Sequence, residues 1–351
     1  MITSLDPHWQ WTREHPLTGY CVEWAAPELF ILSRRNSLYS TPSLDRPPRR
    51  LATLPTAGWK ALASRVRPLQ RLLRYSFSNV VRLPDERLFF TFDRAVGTFE
   101  NGGFRPLPGL VRPTRVLRGA CVLDADGTLY FGEYVGNPER HEIHVYRLSP
   151  GASQVEIVHT FPAGQVRHVH GIYRDPVDGS LWCVAGDLKP ECRILRTRDQ
   201  FASLETIGSG DETWRCVSLL FDAAGAYYGS DAEFIQNRLY FIDRTTLART
   251  QLCAIDGPVY YSHALGSDLF FGVTAELCPS QQGRHGSLWH VRRGASPQTV
   301  LQIPKDPLPV RYFLPGTWQF PQGPGLADRL LVHLVALRGD NQTYSLRTRA
   351  D

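Results

Sequence analysis

Arginines, histidines and carboxylates recur in this sequence at spacings that would set one against another. The stretch Gln165-Val166-Arg167-His168-Val169-His170-Gly171 packs an arginine and two histidines into four positions. On a strand, alternation puts His168 and His170 on one face and Arg167 with Val169 on the other. Asp187 follows Arg167 at the far end of a hairpin that turns at Asp175-Pro176-Val177-Asp178-Gly179. The same combination returns as Arg118 with Glu133 and Tyr134, as Arg215 with Asp231, and as Tyr260 or Tyr261 with Glu276. The intervals are 15, 20, 16 and 16 positions in chain order, and a looser set follows in Arg311, Arg338 and Asp340. Arg118, Arg167, Arg215, Arg311 and Arg338, with Asp231, form a candidate binding set, because guanidinium grips a carboxylate through paired hydrogen bonds. His168, Glu133, Asp187 and Glu276 are the candidate acids and bases, with Tyr260 and Tyr261 beside Glu276. His168 and His170 can also share a divalent metal ion, with His263, His144 or Glu133 as a third ligand. The competing reading makes each set a structural ion pair that holds strand register.

The elements that would bring these residues together form a repeat. Units run from Tyr20 to Leu54, Ser76 to Leu107, Arg118 to Val158, Arg167 to Ile207, Arg215 to Cys253, Val259 to Leu301 and Arg311 to Leu346. Each has short apolar runs separated by Gly, Pro, Asn or Asp. Seven four-stranded units restarting every 45 to 50 residues predict an all-β, seven-bladed β-propeller spanning 1–351 as a single domain. In a propeller the start of each blade's first strand and the end of its second meet at one rim, where the paired residues fall. A strand before Tyr20 would close the ring against the last blade. One short helical insertion, about residues 57–74, breaks the pattern. Apolar residues at 59, 62, 66, 69, 72 and 73 have helical spacing, Lys60, Arg65, Arg67, Arg71 and Arg74 lie between them, and Pro68 divides the run. It is expected to pack its apolar face on the propeller. The alternative is membrane contact, in which its basic face meets anionic headgroups.

Composition narrows the function classes. Charged residues at 21% and a net charge of +5 suit a folded protein with an anionic ligand and lack the dense basic tract of a nucleic-acid binder. Neither a signal peptide nor a membrane-spanning run is visible. The seven cysteines lack CxxC spacing and sit mostly in apolar runs, which points to reduced, buried thiols and a cytoplasmic location.

The arginine cluster and the Tyr260/Tyr261–Glu276 pairing resemble the sialidase-like, BNR-repeat superfamily of propellers. There an arginine cluster grips a substrate carboxylate and a tyrosine paired with a glutamate is the nucleophile. Remnants of its Asp-box stand at Ser43-Leu44-Asp45-Arg46 and Thr197-Arg198-Asp199-Gln200-Phe201, without the glycine and tryptophan. Tyr130-Phe131-Gly132-Glu133-Tyr134, Arg167-His168-Val169-His170-Gly171 and Tyr228-Gly229-Ser230-Asp231 resemble an uncharacterised bacterial BNR-like group associated with polysaccharide metabolism. Gln165-x-x-His168-x-His170 is similar to a metal-binding spacing in oligogalacturonide lyases. Together the resemblances imply a carbohydrate-active enzyme, a glycoside hydrolase or polysaccharide lyase, acting on an acidic oligosaccharide or polysaccharide in the central pocket. The alternative is a non-catalytic propeller that binds a saccharide or a protein.

Overall fold

Each sequence unit folds into one antiparallel sheet, and the sheets stand as seven blades around a channel. The computed structural model describes residues 3–4, 6–281 and 284–349. The first strands of the blades are, in order, Cys21–Ala26, Phe77–Arg82, Val122–Leu123, Val169–Arg174, Cys216–Phe221, Val259–Leu265 and Thr317–Gln319. First strands of neighbouring blades touch, so they line the channel. The ring closes with a strand from the other end of the chain. Trp9–Arg13 pairs antiparallel with Gln342–Thr348 as the outermost strand of blade 7, from Trp9 opposite Thr348 to Arg13 opposite Tyr344. Thr3–Ser4 adds a fifth strand to blade 6 against Gln298–Pro304.

The apolar runs segregate into seven cores, each shared by two adjacent blades. The last-to-first junction holds Leu17, Val22, Phe30 and Leu331. Trp9 of the closing strand lies against Phe270 in the core between blades 6 and 7. A blade covers both faces of its second strand with neighbours, which is why Leu181–Ala185 and Gly225–Ser230 are buried at every position. Two glycines let the second strand of one blade meet the inner strand of the next. A Cβ on Gly132 would fall 2.4 Å from Val169, and one on Gly229 would fall 2.3 Å from Val259. Each glycine faces the first residue of the next blade's inner strand.

The helical insertion is present but inverted relative to the sequence expectation. It consists of Gly58–Ala63 and Arg67–Leu72, divided before Pro68, which occupies the first turn of the second helix where a missing N–H costs nothing. Trp59, Leu62, Val66, Leu69 and Leu72 are between 40% and 63% exposed, while Ser64, Gln70 and Arg71 are buried beneath them. The arginine face turns inward because carboxylates and a free carbonyl wait there. Arg67 forms a two-pronged ion pair with Asp340 at 2.8 and 2.9 Å. Arg71 reaches Asp306 and donates from Nε to the Phe313 carbonyl at 2.8 Å. Phe313 closes a further short helix, Val310–Phe313, at the place where the seventh unit was expected to begin.

Gly229→Ala is expected to destabilise the fold by about 1–3 kcal/mol through overpacking between blades 5 and 6. Gly103→Ala, whose added Cβ would meet nothing closer than 3.9 Å, should stay within about 0.5 kcal/mol of the parent. Urea unfolding of the two variants checks the difference.

Candidate active site at the channel mouth

The inner strands do not alternate regularly, and this shapes the site. In five blades the register slips near the start of the strand: between Val22 and Trp24, Phe77 and Asn79, Val169 and Gly171, Cys216 and Leu219, and Val259 and Tyr261. Each slip inserts one extra residue, a β-bulge, which bends the strand and re-aims a side chain. Glu23, Ser78, His170, Val217 and Tyr260 lie in these slips, and all five line cavities at one mouth of the channel. Two of these cavities, of about 310 and 240 Å³, adjoin through Arg74, Ser76, Arg118 and Gln319.

Blade 4 supplies the densest cluster. His168 precedes the inner strand, His170 occupies its bulge, and Asp187 follows the end of the second strand. All three are buried. Asp187 Oδ1 lies 3.2 Å from His168 Nε2 and 2.9 Å from His170 Nε2, and the two nitrogens are 3.1 Å apart. Arg167 Nη1 donates to Asp187 Oδ2 at 3.1 Å, and the Tyr134 ring lies 4.1 Å from that of His168. Burial works to raise the Asp187 carboxyl, but its contacts with the two histidines outweigh it, holding the group well below the carboxylate range. Burial pushes the His170 imidazole down.

Blades 5 and 6 complete the wall. Arg215 Nε donates to Asp231 Oδ2 at 2.9 Å, and its Nη2 lies 3.6 Å from Asp187 Oδ1. One guanidinium thus serves two carboxylates, with Glu276 nearby. Burial, reinforced by the Glu276 and Asp187 charges and opposed by Arg215, pushes the Asp231 carboxyl up to about 8. Tyr260 Oη donates to Glu276 Oε2 at 2.5 Å. Burial first, then the charges of Asp231 and Glu276, hold the Tyr260 phenol well above its ordinary value. Tyr261 faces the channel beside them and lines both this cavity and one at the opposite end.

Several residues stand elsewhere than the sequence spacing implied. Arg118 pairs across the ring with Glu23, at 2.7 and 3.2 Å, rather than with Glu133. Both are buried, and Ser33 donates to the same carboxylate. Glu133 is turned away from the channel. It is 0% exposed and accepts from Tyr146 Oη at 2.8 Å and from the His144 amide at 3.1 Å. Arg311 lies exposed on the short helix and Arg338 exposed in the turn after Leu330–Val335. The guanidiniums that reach the mouth on that side come instead from Arg67, Arg71 and Arg74 of the insertion. The candidate third metal ligands also separate. His144 bonds Thr160 at 3.0 Å, and His263 stacks on Phe320, 5.7 Å away, where burial lowers it to about 4. Gln165 is exposed.

Glu23 was missed by the sequence reading, although an acid inside the apolar run Cys21-Val22-Glu23-Trp24 was a usable signal. Arg74 was assigned to the basic face of the helix rather than to the site. It lines both cavities and makes no ion pair among the described residues.

No family model matches the chain, and no curated protein matches it. Solved structures do match in fold. The extracellular domain of BT4673, described as a one-component system from B. thetaiotaomicron, aligns over 98% of this chain with a TM-score of 0.58 at 12% identity. The chain spans 40% of that domain's length. YCF48 bound to the D1 peptide aligns over the whole of both chains, with a TM-score of 0.57 at 10% identity. A chain of the mitotic checkpoint complex gives a TM-score of 0.57 at 11% identity, covering all of this chain and 94% of that one. These likenesses show the propeller fold.

Removing one member of the Arg118–Glu23 pair leaves a buried charge uncompensated. Arg118→Met is expected to cost about 3–5 kcal/mol in denaturant unfolding, and the double variant with Glu23→Leu should recover much of it.

Proposed function

We propose that the channel mouth cleaves a carboxylate-bearing saccharide by acid–base chemistry, through hydrolysis or β-elimination. The observation that carries this reading is a division of labour among the acids. Asp231 keeps its proton near neutrality, while Glu276 accepts a hydrogen bond from Tyr260 in the same cavity. A carboxyl that holds its proton and a second acid placed to accept from a phenol are what an acid and a base require. Arg74 supplies an unengaged guanidinium for the substrate carboxylate, with Arg118 and Arg215 behind it.

In hydrolysis, Asp231 gives its proton to the leaving glycosidic oxygen as the C–O bond breaks. Tyr260 attacks the sugar carbon while its phenolic proton passes to Glu276. Water then attacks the same carbon and gives a proton back to Asp231, and the Tyr260 oxygen leaves with the proton held by Glu276. In β-elimination, the Tyr260–Glu276 pair takes the proton α to the carboxylate, the C–H electrons form the new double bond, and the leaving oxygen departs with the Asp231 proton. Bond changes balance in both routes.

A non-catalytic binding role is the second reading. It is favoured by the pairing of Arg118, Arg167 and Arg215 with internal carboxylates, which leaves the mouth largely neutralised. The YCF48 structure, with its bound peptide, shows that a propeller of similar shape can serve binding.

Incubation with acidic oligosaccharides separates the readings. New reducing ends signal hydrolysis, an ultraviolet-absorbing unsaturated product signals elimination, and saturable binding without either signals the second reading. Asp231→Asn should lower turnover by about 10²–10⁴-fold with binding retained. Because the acid form acts, turnover should fall as pH rises through about 8. Stability should follow the same proton. The folded pKa is raised from 3.8, so the folded state binds more protons between those values, and this contribution, full below about 4, is lost as pH rises through about 8. Asp231→Asn should flatten that slope in urea titrations at successive pH values.

A further inference from the structure

We propose that His168, His170 and Asp187 bind a divalent transition-metal ion, with an open coordination position facing the channel mouth. The inference stands on hydrogen-bond accounting and does not depend on which ligand the mouth takes. His168 Nδ1 faces the Val135 carbonyl at 3.0 Å and His170 Nδ1 faces the Cys216 carbonyl at 2.8 Å. A carbonyl only accepts, so both Nδ1 atoms carry hydrogen and donate. In a neutral imidazole the other nitrogen is then a bare lone pair. Two such lone pairs, 3.1 Å apart, converge on a carboxylate oxygen at 2.9 and 3.2 Å. Three acceptors in contact require a cation among them, either one extra proton or a metal ion.

The geometry favours the metal. Ligand atoms bonded to tetrahedral zinc at about 2.0–2.1 Å lie roughly 3.3 Å apart, close to all three separations. The outer contacts are those of a ligand set, since each histidine donates its one N–H, at Nδ1, to a backbone carbonyl that fixes the ring, and Arg167 holds the far oxygen of Asp187. His170 lines one mouth cavity while His168 and Asp187 line its neighbour, with Tyr134 and Arg215 in both. Two imidazoles and one carboxylate with a fourth side open suit Zn²⁺ or Co²⁺ better than Mg²⁺ or Ca²⁺, which favour oxygen. Arg215, 3.6 Å from Asp187 Oδ1, opposes the added charge, which the Asp187 carboxylate among the ligands counters.

The protein stripped with chelator, equilibrated with Zn²⁺ and dialysed should retain one equivalent by elemental analysis. Co²⁺ should give the visible absorption of a four-coordinate site. His168→Ala and His170→Ala should each lower affinity at least 100-fold, whereas His263→Ala should retain one equivalent. Circular dichroism verifies that each variant is folded; should one fail, the conservative His170→Gln replaces it. Retention well below one equivalent in the parent protein, or unchanged affinity in both folded histidine variants, overturns the site and leaves the proton as the cation.

A second inference rests on a different surface. We infer that the insertion docks on an anionic lipid bilayer. Trp59, Leu62, Val66, Leu69 and Leu72 form an outward stripe, and Tyr312 on the adjoining short helix is 55% exposed. Residues 46–84 contain nine arginines and lysines and no aspartate or glutamate, although the whole chain carries only +5. Arg65 and Arg311 are exposed around the stripe. An apolar stripe with an aromatic anchor and a purely cationic border is the chemistry of an interfacial helix, and that border complements phospholipid headgroups. The protein should sediment with vesicles containing phosphatidylglycerol and far less with phosphatidylcholine alone. Leu62→Ser with Leu69→Ser should lower binding at least tenfold without loss of fold. Equal sedimentation with both vesicle types, unchanged binding of the variant, or light scattering showing that the stripe joins two copies of the chain would overturn the assignment.

Discussion

The arrangement of the mouth depends on one constraint, the extra residue inserted near the start of the inner strands. A regular strand sends alternate side chains to opposite faces, so a residue held in an interblade core would fix the direction of everything near it. The bulges break that parity. Val169 and Ile172, three positions apart, both enter the core between blades 3 and 4. Phe77 and Val80 do the same between blades 1 and 2, and Cys216 and Leu219 between blades 4 and 5. The residue consumed by each slip is released from packing and points at the channel. His170 and Tyr260 owe their positions to this, as does Glu23.

Charge pairing follows from the same geometry. Inner strands converge, so groups they present are crowded and poorly hydrated, and each guanidinium there takes a carboxylate within reach. Arg118 finds Glu23 across the ring, while Arg215 is shared between Asp231 on its own blade and Asp187 on the blade before. Sharing is what separates the acids. Asp187 also has the histidines and Arg167 and stays ionised; Asp231 has only Arg215 against two neighbouring carboxylates and keeps its proton.

Much of this was legible in the sequence. The turn residues and apolar runs gave the blade count, and Trp9–Arg13 closes the ring as a strand before Tyr20 was expected to. Arg167 with Asp187, Arg215 with Asp231 and Tyr260 with Glu276 were readable because strand starts and ends meet at one rim. A partner from a distant blade, as with Glu23, leaves no trace in local spacing. Nor does local spacing show the turning away of Glu133, where Tyr146 and the His144 amide offered a closer site behind the sheet. The bulges had a signal, apolar residues three apart inside a strand, but period-two reading passes over it. Arg311 could not be placed because Val310–Phe313 is helical, which shifts that arginine off the inner strand.

The insertion shows most plainly why amphipathic pattern alone does not orient a helix. The rule that the apolar face turns inward assumes that the surface beneath is apolar. Here the surface beneath is the mouth itself, with Asp306, Asp340 and the Phe313 carbonyl exposed toward the helices. Rotating the insertion would strip Arg67 and Arg71 from these partners, leaving Asp306 to Lys305 alone and the half-buried Asp340 unpaired, at up to several kcal/mol. In exchange it could bury five apolar side chains, worth about 1.5–3 kcal/mol each against an apolar surface but much less against a charged one. The electrostatic term decides the orientation. The burial forgone on the outer face is free energy that only a surface outside the chain can recover. The wall that completes the mouth is therefore also the part of the molecule best suited to bring it against such a surface.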